Sequence, residues 1–295
     1  MTDLAQQARI VVAALAPAFL LLSSCNQSGA APDGARIQAV TKPIPLRSSV
    51  DGLSIVAASH LPSNSQRGMV DDYCEDYAVA HPVSPGGQAA ARAGWIVTSE
   101  RKLGRYDAVT LVGKLDPATS ATCVHEHGNI AVFDRARLLA IAYWRDPSAE
   151  PDSIGSAEQL DEKRIRLNSG MPGPPIADIV LRQGIRVEPV ASEDRLCGGS
   201  VVVPNVFGQP IQLARTSLIA NGWMPSSSIA ERNGGQDDDL ARNGVPEVQS
   251  CAGTGYGFCA FTYRHRNGAA LRVISMGEEQ SVVIGSTVGC RSVKP

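Results

Sequence analysis

The chain has 295 residues, a net charge of −2 and 19% charged side chains, the make-up of a folded protein rather than a disordered one. No basic cluster occurs anywhere, which sets nucleic acid aside as a partner. Aromatic residues make up only 5%, so each ring carries weight.

In chain order, the first segment is an apolar run of 13 residues, Ile10–Leu22, preceded by Arg9 and followed by small residues and a cysteine. A membrane-spanning helix needs ~20 apolar residues, so this run reads as an export signal. Leu22-Ser23-Ser24-Cys25 resembles the lipobox of bacterial lipoproteins. That resemblance implies cleavage before Cys25, a diacylglycerol on its sulfur and, through Asn26, sorting to the periplasmic face of the outer membrane. Residues 1–24 are then a signal peptide. Residues 25–43, small, polar and Pro/Gly-containing, form a flexible tether.

Arg36–Val40 and Leu53–Ala58 read as short lead strands. A first unit follows from Cys74 to about Trp144, and a second from Cys197 to about Gly277. Each opens with a cysteine, a Pro/Gly turn and a short helix, Gln88–Ala93 and Gln212–Ala220. Gly94-Trp95 and Gly222-Trp223 follow those helices. Glycine directly after a helix is the usual left-handed stop. Trp95 to Cys123 and Trp223 to Cys251 both span 28 positions, and ten residues past each cysteine stands Phe133 or Phe261. Strands are expected at Ile130–Phe133, Leu138–Trp144, Phe258–Tyr263 and Leu271–Ser275, with a long variable loop ahead of them. Three ordered features at matching gaps point to an internal repeat.

The connector Asp146–Pro175 is rich in Pro, Gly, Ser and charge but contains a possible edge strand, Arg164–Leu167. Ile176–Val190 reads as strand, turn at Gly184, and strand, with a boundary near 185–196. Asp237-Asp238-Asp239 reads as a solvated loop. The expected fold is α+β: two related small units, each a short helix on an antiparallel β-meander. These are 44–190, with its lead strands and extension, and 191–295.

Besides Cys25 there are six cysteines, Cys74, Cys123, Cys197, Cys251, Cys259 and Cys290. An even count in an exported chain argues for three disulfides. Two pairings compete, and both contain Cys74–Cys123. One adds Cys251–Cys259 and Cys197–Cys290; the other adds Cys197–Cys251 and Cys259–Cys290. The Gly-rich turn between Cys251 and Cys259 favours the first.

Candidate chemistry is sparse. If Val124–Phe133 is one strand, His125 and His127 share a face and could grip a metal ion, though a third ligand is missing. An exposed polar turn explains His125-Glu126-His127 better. Gly253–Gly257 leads into a strand, not a helix, so it reads as a tight turn rather than a phosphate cradle. No G-x-S-x-G elbow or supported triad occurs, so no catalytic residue and no cofactor is assigned. Trp95, Trp144 and Trp223 read as core anchors.

The second half carries Gly222-Trp223-x-Pro225, the stretch Pro246–Gly255, Cys259-Ala260-Phe261, Gly277-Glu278 and Cys290. With these it resembles a short domain of secreted and lipidated proteobacterial proteins, a resemblance that implies no activity. The expectation is a lipoprotein anchored to the membrane through Cys25, with a non-catalytic binding or envelope-accessory role toward an envelope protein or cell-wall partner. The alternatives are a metal-dependent enzyme or metal carrier using His125 and His127, and a secreted hydrolase inhibitor.

Overall fold

The computed structural model describes residues 43–66, 68–145, 153–226, 234–253 and 255–290. The signal segment, Cys25, all but the last residue of the tether and the lead strand expected at 36–40 lie outside them. Positions 1–42 and Pro43–Pro295 are separate units, and the second is described below.

Its first half is built on two five-stranded sheets. One sheet has the order β2 (Leu53–Ala57), β9 (Arg137–Trp144), β8 (Asn129–Asp134), β5 (Tyr106–Val112), β4 (Ile96–Leu103), antiparallel throughout. The other has the order β1 (Leu46–Ser48), β13 (Ile185–Glu188), β12 (Ala177–Leu181), β11 (Arg164–Ser169), β10 (Ile154–Asp161). There β1 alone runs parallel to its neighbour. Ala108, Ile130 and Val132 of the first sheet share an apolar cluster with Ile165, Leu167, Ile179 and Val187 of the second. Facing sheets bury alternate side chains in this way.

The far face of the first sheet lies under α1 (Pro85–Arg92), which packs over Val109, Leu111, Ala131 and Phe133. Covered on both sides, β5 is buried at every position. Ser84 caps α1 by accepting from the Gly87 amide at 2.9 Å. Gly86 and Gly87, in the first turn, must be small. A methyl group on Gly86 would lie 2.6 Å from the Phe133 ring, and one on Gly87 would lie 2.3 Å from Glu100 Oε1. A third sheet, β3 (Met69–Val70), β6 (Lys114–Pro117), β7 (Cys123–Glu126), is stapled by Cys74–Cys123 to the 3-10 turn Asp72–Tyr77.

The second half begins with the hairpin β14 (Glu193–Leu196) and β15 (Val201–Pro204). Then α2 (Ile211–Ala220) leads to a sheet of β16 (Trp223–Pro225), β18 (Cys259–His265), β19 (Ala270–Met276) and β20 (Val282–Gly289). β17 (Val248–Cys251), which follows α3 (Gln236–Arg242), also pairs with β18. Ile211, Leu218, Trp223, Phe261 and Leu271 form its core. Glu247 is fully buried there; it accepts from the Tyr263 hydroxyl at 2.7 Å and pairs with Arg215 Nε at 3.0 Å. Burial, reinforced by Glu247, raises the pKa of that hydroxyl. The apolar clusters stop at Val187 and resume at Leu196, so none spans both halves.

The bridges are Cys74–Cys123, Cys197–Cys290 and Cys251–Cys259, the first of the two pairings. Gly94 and Gly222 both adopt left-handed backbone, at φ +81° and +84°, as helix stops should.

The α+β expectation does not hold. Strands dominate: the described residues carry twenty strands against three α-helices and one short 3-10 helix. The stretch read as a variable loop before Cys123 contains β4, β5 and β6. Its polar residues find partners across the sheet, as when Ser99 Oγ donates to Thr110 Oγ1 at 2.7 Å. The connector contains β10, which makes β11 an interior strand rather than an edge. Asp237–Asp239 lie not in a loop but in the first turn of α3, where acidic side chains suit the positive helix end. Equal spacing also misleads. Cys123 sits on β7 in a sheet apart from Phe133, whereas Cys251 lies directly opposite Cys259 beside Phe261.

Candidate functional site

A cleft of about 540 Å³ opens where β9 ends against β2 and the loop at 60–65. β9 supplies Ile141, Tyr143 and Trp144, and β2 supplies Val56. Successive strand residues point to opposite faces. Ile141 and Tyr143 accordingly pack toward the α1 side, and Trp144 toward the facing sheet. The cleft therefore wraps the end of the sheet.

Its loop wall is held by three side-chain hydrogen bonds. Trp95 Nε1 donates to the Pro62 carbonyl at 3.0 Å. Asn64 Nδ2 donates to the Gly94 carbonyl at 2.7 Å and to that of Gly113 at 3.3 Å. The opposite rim is the turn His127-Gly128-Asn129. His127 takes left-handed backbone at φ +56°, and Asn129 Nδ2 donates to its carbonyl at 3.0 Å. Gly128 is buried: its amide donates to Ser153 Oγ at 2.7 Å, and a methyl group there would lie 2.1 Å from the Ile154 carbonyl oxygen. That approach excludes any larger residue.

Three of the chain's aromatic side chains thus meet with two imidazoles, His60 and His127, and with Asn64, Asn129, Ser63 and Ser65. Among the described residues, no Asp, Glu, Lys or Arg lines the cleft. Neither Ser63 nor Ser65 hydrogen bonds to an imidazole among the described residues, whereas Ser59, one residue before the cleft-lining His60, has its Oγ 2.9 Å from His60 Nδ1. Small-molecule sites share this composition, largely apolar walls with a few convergent polar groups.

His125 and His127 do not share a site. β7 stops at Glu126, the chain turns at His127, and β8 belongs to a different sheet, so the strand that would align the two imidazoles does not exist. His125 lines a second cleft, of about 370 Å³, between the loop 169–173 and the β20 edge. There Tyr77 meets its ring edge-on at 5.8 Å, and Nδ1 lies 3.3 Å from the Gly170 carbonyl. Burial pushes the His125 pKa below the ordinary value of 6.5, against backbone hydrogen bonds at Gly170 and Cys123. No group of three His, Cys, Asp or Glu able to hold an ion occurs among the described residues.

The glycine run is a turn: the Ala252 amide donates to the Phe258 carbonyl at 2.7 Å, and β18 follows. Trp223 is fully buried, with Nε1 donating to the Val202 carbonyl at 2.9 Å. Trp95 is a core ring that also forms cleft wall. Trp144 departs from the core-anchor reading. It is half-buried, lines the cleft, and its buried Nε1 has no hydrogen-bond partner among the described residues. Tyr143, Asn64 and Asn129 carried no signal in the sequence, because the loop and strands that bring them together are far apart in the chain.

No protein-family model, curated protein or solved structure matches the chain. Its function is therefore read from its own geometry. No helix among the described residues is long and apolar enough to cross a membrane.

Proposed function

We propose that this chain is an exported, lipid-anchored binding protein of the outer-membrane periplasmic face, and that its ligand occupies the cleft at the end of β9. The observation that carries the reading is the lining: three aromatic side chains, imidazoles and amides, without a carboxylate, ammonium or guanidinium group among the described residues. Such a wall, largely apolar with a few convergent polar groups, suits recognition of a small ligand. The Leu22–Cys25 lipobox and the three disulfides fit an oxidising compartment reached by export.

Two measurements test this. Palmitate labelling of the protein is lost in Cys25→Ser; labelling unchanged by that substitution refutes the anchor. Hydroxyl-radical footprinting in intact envelopes, compared with the purified protein, reports occupancy of the cleft. Protection of His60, His127 and Tyr143 in the envelope supports the ligand site, and equal oxidation in both preparations overturns it.

A further inference from the structure

The walls of the cleft constrain the chemistry of what enters it. A charged ligand would lose water there without gaining an ion pair from the described lining, which holds no ionic side chain. The rim groups are of a second kind. A neutral imidazole and a side-chain amide each both donate and accept hydrogen bonds, whereas Lys and Arg only donate and a carboxylate only accepts. His60 and His127 are exposed at that rim, beside Asn129. Hydroxyl groups on adjacent carbons likewise donate and accept, and they match such a rim.

The aromatic content points the same way. Tyr143, Trp144 and Trp95 offer flat apolar surfaces within one cleft, suited to a ligand with its own flat, non-ionic C–H face. Trp144 differs from the other two tryptophans. Trp95 and Trp223 both donate to backbone carbonyls, while Trp144 Nε1 meets no acceptor among the described residues. Gly52 backs its ring on the Cε3–Cζ3 side, where a methyl group would approach to 2.5 Å.

We propose that the cleft binds a neutral pyranose oligosaccharide that follows the cleft round the end of the sheet, one sugar ring packing on Tyr143 and another on Trp144, while their hydroxyls meet His60, His127 and Asn129. The proposal rests on the cleft being the ligand site. Glycan in the cell wall and free oligosaccharide share this chemistry.

The test is calorimetric titration of the purified full-length chain with four trisaccharides: an N-acetylglucosamine trimer, a glucose trimer, the cationic glucosamine trimer and an anionic uronic-acid trimer. Saturable binding of at least one neutral trimer, with both charged trimers weaker by about tenfold or more, is the expected result. Tyr143→Ala, with thermal melting unchanged, should weaken the neutral trimer roughly tenfold. A neutral trimer that binds only when acetylated identifies wall-type glycan as the source; equal binding of both neutral trimers identifies a general pyranose site. Charged trimers binding as well as neutral ones, or Tyr143→Ala binding unimpaired, overturns the proposal. Absence of sugar binding in a protein whose cleft is protected in the envelope also overturns it, leaves the ligand site intact, and points to a peptide occupant.

Discussion

Arg166 on β11 and Asp194 on β14 join the two halves of the chain through a paired ionic contact, Nη1 to Oδ2 at 2.5 Å and Nη2 to Oδ1 at 3.1 Å. The same guanidinium meets Asp178 at 2.9 and 3.1 Å, and it stacks over Phe207 at 5.4 Å. Arg164 adds a further contact to Asp194 at 3.0 Å. Since no apolar cluster crosses between the halves, this buried polar joint stands where a shared core would.

Replacing Arg166 by Leu should therefore be severe. It leaves Asp178 and Asp194 buried with their main partner gone, a loss of about 3–5 kcal/mol for a broken buried pair. Arg166→Lys should fall between, because an ammonium cannot serve two carboxylates with paired bonds. Urea unfolding of the three proteins checks the order. Full stability in Arg166→Leu would mean that the joint contributes nothing.

Gly128 and Gly94 separate two reasons for needing glycine. At Gly128 the obstacle is the Ile154 carbonyl 2.1 Å from an added methyl group, so Gly128→Ala should destabilise by about 1–3 kcal/mol through overpacking. It should also weaken whatever the cleft binds, since the His127 rim must shift. Around Gly94 there is open space, but φ is +81°, so Gly94→Ala should cost about 1–2 kcal/mol from backbone handedness alone, with a smaller effect on binding because no atom of the rim is displaced by overpacking. Thermal melts together with titrations distinguish the two.

His125 should give stability a pH dependence of defined sign. Burial lowers its folded pKa below 6.5, so the unfolded chain takes up the proton more readily. The contribution from neutral His125 is complete above pH 6.5 and is lost as pH falls from there through the folded pKa. Unfolding midpoints between pH 7.5 and 4.5 should drop more steeply for the wild type than for His125→Gln, which has no proton to gain. Parallel curves would show that His125 does not titrate differently on folding.

The three bridges should contribute unequally. Cys197–Cys290 closes a separation of 93 residues and Cys251–Cys259 one of 8. In the chain-entropy account these correspond to about 4.5 and about 2.5 kcal/mol. Removing both cysteines of each pair to Ala and measuring denaturant midpoints should rank Cys197–Cys290 first. A larger loss at Cys251–Cys259 would show that local sheet geometry outweighs loop closure.

Much of the C-terminal sheet was legible from residue pattern. The runs at Cys259–His265 and Ala270–Met276 alternate apolar and polar side chains over a core, and Gly222 marks where α2 must stop. β4 and β10 were not legible. Residues such as Ser99, Glu100, Glu158 and Gln159 look like loop until their partners are known. Ser99 bonds Thr110, Glu100 bonds the Ser84 amide at 2.9 Å, and Gln159 accepts from the Lys102 amide at 3.0 Å. Pairing over long separations, not local propensity, makes these stretches strands.

The amino-acid order alone determined the apolar run that precedes Cys25, the count of six further cysteines and the two helix-glycine-tryptophan stops, and it narrowed the bridges to two pairings that share Cys74–Cys123, because each depends on neighbours close in the chain or on a count. Only the tertiary structure decided that the fold is mostly β, that His125 and His127 face different clefts, and that Trp144 lies beside the loop at 60–65. Those outcomes depend on which strands pair and which loops fold over them. That choice is made by burial summed over distant segments.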